Sequence, residues 1–181
     1  MAQTALALKK QRTRKDYGYH LEYRTRWSDN DMYAHLNNSI YAFLIDSIVN
    51  TYLITHCGLN PFSARSTSPS PSKTTTPPTP SPPPTQIGLV VSSYCDYFAS
   101  VSFPDVLELG LRVVKLGSSS VMYEVGIFKR GEEAVKAVGG FTHVFVEREG
   151  MKPPRGGVGM DGGIRKGLER LVVDGGKGAK L

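Results

Sequence analysis

The alternation of apolar and polar positions divides the chain into a strand, a strongly apolar helix and a series of later strands. Residues 20–27 alternate, which is typical of a half-exposed strand. Residues 39–56 are apolar at most positions, which predicts a helix buried around most of its circumference. Cys57 and Gly58, with Pro61 behind them, supply the residues that end such a helix.

Later segments of the chain are rich in strand-forming residues and are separated by turns. The predicted strands cover residues 87–98, 107–113, 121–127 and 135–147, and a short helix is expected over 164–173. Short connections between long strands predict an antiparallel meander. One long apolar helix needs a cover, and a curled antiparallel sheet is the available partner, so the fold class is α+β.

The central part of the chain contains an insertion of unusual composition. Ser63–Thr85 holds eight proline, six serine and six threonine residues, a composition that cannot form a packed core. We therefore expect a flexible basic tail over 1–18, one domain over 19–150 with a disordered insertion at 63–85, and a Gly-rich C-terminal segment over 151–181.

The net charge of +6 comes from the two ends of the chain. Residues 1–15 carry five basic and no acidic groups, and residues 151–181 carry seven basic and three acidic groups, which leaves 10 basic and 13 acidic groups between them. A nucleic-acid-binding domain would place its positive charge on the folded part, so no nucleic-acid partner is expected.

The cysteines and the hydropathy pattern indicate in which cellular compartment the protein is expected. Cys57 and Cys95 have neither the spacing of metal ligands nor a disulfide framework, so reduced thiols in an intracellular protein are expected. No stretch reaches the roughly eighteen consecutive apolar residues of a membrane span. The basic N-terminal segment is very short for a mitochondrial transit peptide, so a cytoplasmic location is favoured.

A polar turn between the first strand and the helix carries the densest group of reactive side chains. It contains Asp29, Asp31, His35, Asn37 and Asn38. A carboxylate just before a helix N-terminus can act as a base or nucleophile, while the unpaired N–H groups of the first helical turn can stabilise an oxyanion. Either asparagine can cap the helix, and either aspartate can instead be an ordinary turn residue.

Two sequence motifs resemble those of a known enzyme family. Residues 27–41, from Trp27 to Tyr41, resemble the signature of the 4-hydroxybenzoyl-CoA thioesterase-like family of acyl-CoA thioesterases, and residues 141–148 resemble its last strand. The resemblance covers 19–150 apart from the insertion. It implies the hotdog fold, in which a curved antiparallel sheet wraps around one long helix.

The resemblance also implies roles for individual residues. Asp31 corresponds to the catalytic aspartate, as nucleophile or as base on water, and the backbone N–H around Asn38 corresponds to the oxyanion hole. His35 and Asn37 would orient water or the thioester carbonyl, and Tyr41 would contact the substrate. Ala34 stands where another branch of the family often has glycine.

The expected reaction is hydrolysis of an acyl-CoA to a free acid and CoA, without a metal or another cofactor. No glycine-rich phosphate loop is present, so CoA would depend on surface cations. Candidates by residue type alone are Arg112, Lys115, Lys129 and Arg130.

Three further interpretations accompany this expectation. A hotdog hydratase or dehydratase would have histidine five residues after the aspartate with Asn-Pro between, whereas His35 lies four residues after Asp31. A non-catalytic acyl-binding protein is the second alternative, and Asp46 on the helix is an alternative site for the carboxylate. Open sheet edges favour a homodimer or a dimer of dimers.

Overall fold

The computed structural model describes residues 4–59, 85–154 and 159–173. Its helices are α1 (Ala5–Lys10), α2 (Asn38–His56) and α3 (Gly162–Glu169), and its strands are β1 (Tyr19–Arg24), β2 (Gln86–Tyr97), β3 (Val106–Leu116), β4 (Ser120–Lys129) and β5 (Val135–Glu147). Short 3₁₀ turns cover Arg14–Asp16 and Trp27–Asp29. The predicted insertion lies outside the described residues except for Thr85, as does the C-terminal end from 174.

The five strands form one antiparallel sheet in the order β1-β3-β4-β5-β2. Consecutive pairing therefore holds for β3, β4 and β5, but the prediction of a meander is wrong for β2, which pairs with β5 at the far edge. The eight residues of 98–105 connect β2 to β3, and they are long enough to cross three strand spacings of about 4.8 Å.

Helix α2 lies on the concave face of this sheet and forms the centre of the core. The residues of α2 that are buried recur at helical spacing: Tyr41, Leu44, Ile45, Ile48, Val49, Tyr52 and Leu53. They pack against inward-facing leucines, valines and isoleucines of β3 and β4. Complete burial of one such side chain contributes about 1.5–3 kcal/mol. This arrangement confirms the hotdog fold.

One face of α2 remains open, which corrects the prediction of a helix buried over most of its circumference. Phe43 is 65% exposed and Ile54 is 43% exposed. A single curved sheet covers only one side of a helix, because the sheet does not close around it. The adjacent edge strand β2 also exposes Val90 and Val91.

A β-bulge divides the edge strand β2 into two halves. The pairing register with β5 shifts between Val90 and Ser92. Before the shift, Gly88 lies against the ring of His143. After it, Cys95 and Tyr97 are the residues that face α2.

The N-terminal segment lies on the convex face of the sheet. Its basic side chains pair with acids of the strands: Lys9 with Asp96 at 2.7 Å, Arg12 with Glu124 at 3.0 Å and Arg14 with Glu108 at 2.5 Å. These ion pairs attach the segment to the sheet, and the predicted flexibility of residues 1–18 stays a prediction. The composition revealed the cations, but not the acids on the outer face that pair with them.

Tyr17 fastens this segment to the sheet. Its ring is 5% exposed and covers Gly110 and Gly126, where an added Cβ would lie 2.7 Å and 2.5 Å from the ring atoms. Its hydroxyl donates to the buried carboxylate of Glu124 at 3.4 Å, and Arg112 pairs with the same carboxylate at 2.8 Å.

The C-terminal helix α3, predicted from the sequence, closes the end of the core. Its N-terminus is capped by Asp161, and Ile164 and Leu168 are completely buried. The hydroxyl of Tyr52 on α2 donates to the carbonyl oxygen of Gly167 at 2.8 Å. An added Cβ at Gly167 would lie 2.4 Å from Cys57 Sγ, so α3 approaches α2 closely.

We expect the N-terminal segment to contribute measurably to folding. Tyr17→Ala should lower the free energy of unfolding by about 3–5 kcal/mol, because it removes a buried aromatic ring from a site that cannot collapse. Urea denaturation measures the effect, and Leu6→Ala, at a side chain that is 54% exposed, is the matched control. Equal stability of the two variants would contradict the packing of residues 4–18 on the sheet.

His143 should make stability depend on pH. Burial lowers the pKa of its imidazole from 6.5 to about 4, so the unfolded chain binds this proton more readily than the folded one. The contribution of His143 to the free energy of unfolding is therefore present above about pH 6.5, and it is lost as the pH falls towards the pKa of the folded state. From about pH 7 to about pH 5 the loss should be about 2 kcal/mol.

Urea denaturation at both pH values of wild type and His143→Phe tests this expectation. The variant should lose about 2 kcal/mol less than wild type over that interval, whatever its absolute stability. His20→Gln, at an exposed histidine, is the control. An unchanged pH slope in His143→Phe would show that other groups carry the dependence.

Candidate active site

The loop between β1 and α2 is fastened at both ends to the connection between β2 and β3. At the β1 end, Thr25 Oγ1 lies 2.8 Å from the carbonyl oxygen of Asp105 and 3.1 Å from that of Ser102. At the α2 end, the N–H of the buried Leu36 donates to the carbonyl oxygen of Val101 at 2.8 Å. Both anchors hold the loop over the start of the helix.

Asp31 opens a tight turn and holds it with its own side chain. Its Oδ1 accepts from the N–H of Tyr33 at 2.8 Å and of His35 at 3.1 Å. Its N–H donates to the carbonyl oxygen of His35 at 2.7 Å. Within the described part of the chain its Oδ2 has no hydrogen-bond partner. The carboxylate is therefore oriented through one oxygen and open at the other.

Asp29, two residues earlier, has a different environment. It is 5% exposed, and its Oδ2 accepts from the hydroxyl of Tyr23 at 2.8 Å and from the N–H of Arg26 at 2.7 Å. Its carbonyl oxygen accepts from the N–H of Asn37 at 2.8 Å. These bonds join the end of β1 to the start of α2, which makes Asp29 a residue of the framework.

The N-terminus of α2 begins immediately after this framework. Asn37 is the cap, because its Oδ1 accepts from the N–H of Ser39 at 3.0 Å and from the Ser39 hydroxyl at 2.8 Å. Asn38 is the first helical residue, and both asparagines are exposed. The N–H of Asn38 finds no acceptor among the described residues, as expected at a helix start.

His35 and Tyr41 differ in their exposure to solvent. The His35 side chain is exposed, and its contacts to Asp31 run through the backbone. Tyr41 is 3% exposed and packs edge-to-face on Tyr97, with ring centroids 5.0 Å apart. Burial, with the neighbouring Cys95 thiol, raises the pKa of the Tyr41 hydroxyl to about 12. The hydroxyl therefore stays neutral near pH 7.

Sequence reasoning missed Tyr97 and Cys95 of β2. Burial is also the main cause that raises the pKa of both side chains, and they hydrogen-bond to each other. They reach Tyr41 because β2 lies at the sheet edge beside α2. Both residues follow the bulge in β2, so their side chains face the helix. Nothing in the sequence indicated this pairing, because alternation shows which residues share a face but not which elements meet.

The cations considered for CoA phosphates are mostly engaged elsewhere. Arg112 is 6% exposed and bound to Glu124. Lys129 pairs with Asp105 at 3.0 Å, and Arg130 pairs with acids of β1 and β3. Residue type alone therefore does not locate a phosphate site.

The described residues also bear on metal binding and on membrane insertion. No group of three or more histidine, cysteine, aspartate or glutamate side chains there could hold a metal ion. Helix α2 is long and apolar enough to cross a membrane by length and composition alone. Seven of its residues are buried in the core, as in the central helix of a folded domain.

Comparison with known proteins identifies relatives of this fold. The model of the thioesterase superfamily matches residues 33–136. The PA5185 protein of Pseudomonas aeruginosa is 40% identical over 90% of this chain and 96% of that chain, with a TM-score of 0.74. A search of curated proteins found no match.

Two solved structures of lower identity share the fold. A 1,4-dihydroxy-2-naphthoyl-CoA thioesterase from Synechocystis is 12% identical, over 84% of this chain and 96% of that chain, with a TM-score of 0.65. A thioesterase from Thermus thermophilus, complexed with coenzyme A and zinc, is 19% identical, over 87% of this chain and 96% of that chain, with a TM-score of 0.59.

Backbone strain in the Asp31 turn should lower the stability of the fold. Ala34 has a φ of 60°, in the left-handed region that costs a residue with a Cβ about 1–2 kcal/mol. Ala34→Gly should raise the free energy of unfolding by about 1 kcal/mol. Ala42→Gly, at an exposed position of α2, should lower it by about 1 kcal/mol. Urea denaturation measures both, and a similar loss in both variants would contradict strain at Ala34.

Proposed function

Because the chain belongs to the thioesterase superfamily, we propose that it hydrolyses an acyl-CoA thioester to a free acid and CoA, using Asp31. The observation that carries this proposal is the half-engaged carboxylate of Asp31. Two backbone donors hold Oδ1, and Oδ2 has no hydrogen-bond partner among the described residues of the loop that leads into α2. Such an oxygen can attack a carbonyl carbon, or take a proton from a water that attacks it.

The reaction needs a donor where negative charge develops on the thioester oxygen. The N–H of Asn38 at the α2 N-terminus meets this need, and the helix dipole favours an anion there. Addition of water to the carbonyl carbon and departure of CoA as thiol would give the free acid. In the covalent variant, Oδ2 attacks the carbonyl carbon and the C–S bond breaks, which gives an acyl-aspartate anhydride and the CoA thiolate. Water then hydrolyses the anhydride to the free acid and the Asp31 carboxylate, and the proton that is released leaves CoA as the thiol.

The neighbouring residues have supporting roles in this proposal. The Oδ1 of Asn37 is engaged by Ser39, which leaves its Nδ2 as a donor for water or the carbonyl oxygen. The exposed imidazole of His35 would orient water. The buried Tyr41, with Tyr97, would form a wall of the acyl site.

We further propose that the working form is a homodimer or a dimer of dimers. Phe43 on α2 and Val90 and Val91 on β2 are exposed apolar side chains, and one edge of β2 is unpaired within the described residues. A second copy paired along this edge would extend the sheet and cover the open face of α2. The substrate would then lie between the two copies.

Acyl-CoA turnover by the purified protein tests the proposal. Free CoA release should be measured with short-chain, medium-chain, long-chain and aromatic acyl-CoAs, because the acyl group is left open. Asp31→Asn keeps the Oδ1 acceptor that holds the turn but removes the charged oxygen. Its kcat/KM should therefore fall by about 100-fold or more with unchanged stability.

Two aspartate variants serve as controls. Asp29→Asn should lower stability, because Asp29 joins β1 to α2, and Asp46→Asn, on the exposed face of α2, should retain turnover. Full activity of Asp31→Asn would exclude this mechanism and direct attention to His35 and Asp46. Binding of acyl-CoA by wild type without turnover would favour an acyl-binding protein.

A further inference from the structure

An exposed aromatic pair lies on the outer side of the active-site loop. Trp27 is 78% exposed and Phe103 is 40% exposed, and their rings meet edge-to-face with centroids 6.0 Å apart. Large aromatic rings this exposed are unusual on a protein surface unless they contact a partner. Neither ring has a part in the chemistry proposed for Asp31.

Hydrogen bonds of the two loops hold the pair in place. Trp27 begins a 3₁₀ turn, in which the N–H of Asn30 donates to its carbonyl oxygen at 3.3 Å. Asn30 Oδ1 in turn accepts from the N–H of Phe103 at 3.1 Å, which joins the two loops. The N–H of Ser102 donates to Asp105 Oδ2 at 3.0 Å and closes the second loop. The rings are therefore carried on fixed backbone.

The charge beside the pair is positive. Arg24 is 76% exposed, and its Nε lies 3.5 Å from the carboxylate of Glu22, which also pairs with Arg130. Arg26 is exposed and forms no ion pair within the described ranges. Asp29, the acid closest in sequence to Trp27, is buried and bonded inward. The carboxylate of Glu22 is therefore shared between Arg24 and Arg130, and Arg26 is left without an acidic partner among the described residues.

This combination matches the chemistry of an adenine nucleotide. A base stacks on an aromatic ring, and arginine binds phosphate with two parallel N–H donors. Trp27 and Asp31 lie on the same loop, four residues and at most about 14 Å apart. In CoA the pantetheine arm separates the thioester from the nucleotide, so both ends of one molecule can lie along this loop.

We propose that Trp27 and Phe103, with Arg24 and Arg26, bind the adenine nucleotide of CoA. This inference rests on the proposed thioesterase function and adds a nucleotide subsite to it. Its occupant is the nucleotide of the substrate, and a second copy of the chain on the same surface is an alternative outcome of the test.

Fluorescence gives a test that does not need turnover. Trp27 is the single tryptophan of the chain, so all tryptophan emission reports on this surface. We expect CoA to quench this emission and pantetheine, which lacks the nucleotide, to leave it unchanged. Arg26→Ala should weaken the apparent affinity for CoA about tenfold. Equal quenching by both compounds, or none by CoA, would overturn the proposal.

Kinetics with full-length and truncated substrates give the second test. Trp27→Ala should raise the KM for acyl-CoA about tenfold, the scale of a stacking interaction of ~1–3 kcal/mol. The loss should be absent with the corresponding acyl-pantetheine. Trp27→Phe should restore most of the affinity, and Met151→Ala, at an exposed apolar residue outside the loop, is the matched control.

The two tests separate the possible failures. Equal losses on acyl-CoA and acyl-pantetheine would show that Trp27 supports the loop and does not bind the nucleotide. Tryptophan emission that is shielded from a soluble quencher before CoA is added would indicate a second copy on this surface. Either result overturns the subsite. Absence of turnover with CoA-specific quenching would overturn the thioesterase proposal and leave the subsite in place.

Discussion

The packing of α2 on the concave face of the sheet is the constraint on which the site depends. Seven buried side chains along one stripe fix the rotation of the helix and its position over β3 and β4. The start of α2 is therefore fixed as well, together with the N–H of Asn38. The loop that carries Asp31 has to end at that point, and its hydrogen bonds to the β2–β3 connection hold it there.

The two aspartates divide the work of the loop between them. Asp29 is buried, and its hydrogen bonds to β1 and to its own turn stabilise the connection between β1 and α2. One carboxylate oxygen of Asp31 accepts the two hydrogen bonds that hold the turn, and the other has no hydrogen-bond partner among the described residues. Two residues of the same type, two positions apart, thus differ because one is buried and the other is partly exposed.

Much of the fold could be predicted from the sequence, because it depends on local periodicity. The position of α2 follows from a strongly apolar run of helical length, and the positions of β3, β4 and β5 follow from strand-forming runs bounded by turns. The partner of β2 could not be predicted, since periodicity does not encode which edges meet. The position of the N-terminal segment also escaped prediction, because its cations pair with acids about ninety residues or more away, such as Lys9 with Asp96. Within the loop, residue types alone did not distinguish Asp29 from Asp31, and only the family resemblance favoured Asp31 as the catalytic carboxylate.

The bulge in β2 changes which residues of the edge strand face the core. Successive strand residues point to opposite faces, so one extra residue exchanges the inner and outer sets beyond it. Because of this exchange Cys95 and Tyr97 lie inside beside Tyr41, while Tyr94 and Asp96 lie outside beneath Lys9. Loss of one residue at this position would turn Asp96 inward and Tyr97 outward. The length of this short segment is therefore under stronger constraint than the identity of its side chains. A single-residue deletion there would exchange the residues that pack beside Tyr41 with those that bind the N-terminal segment.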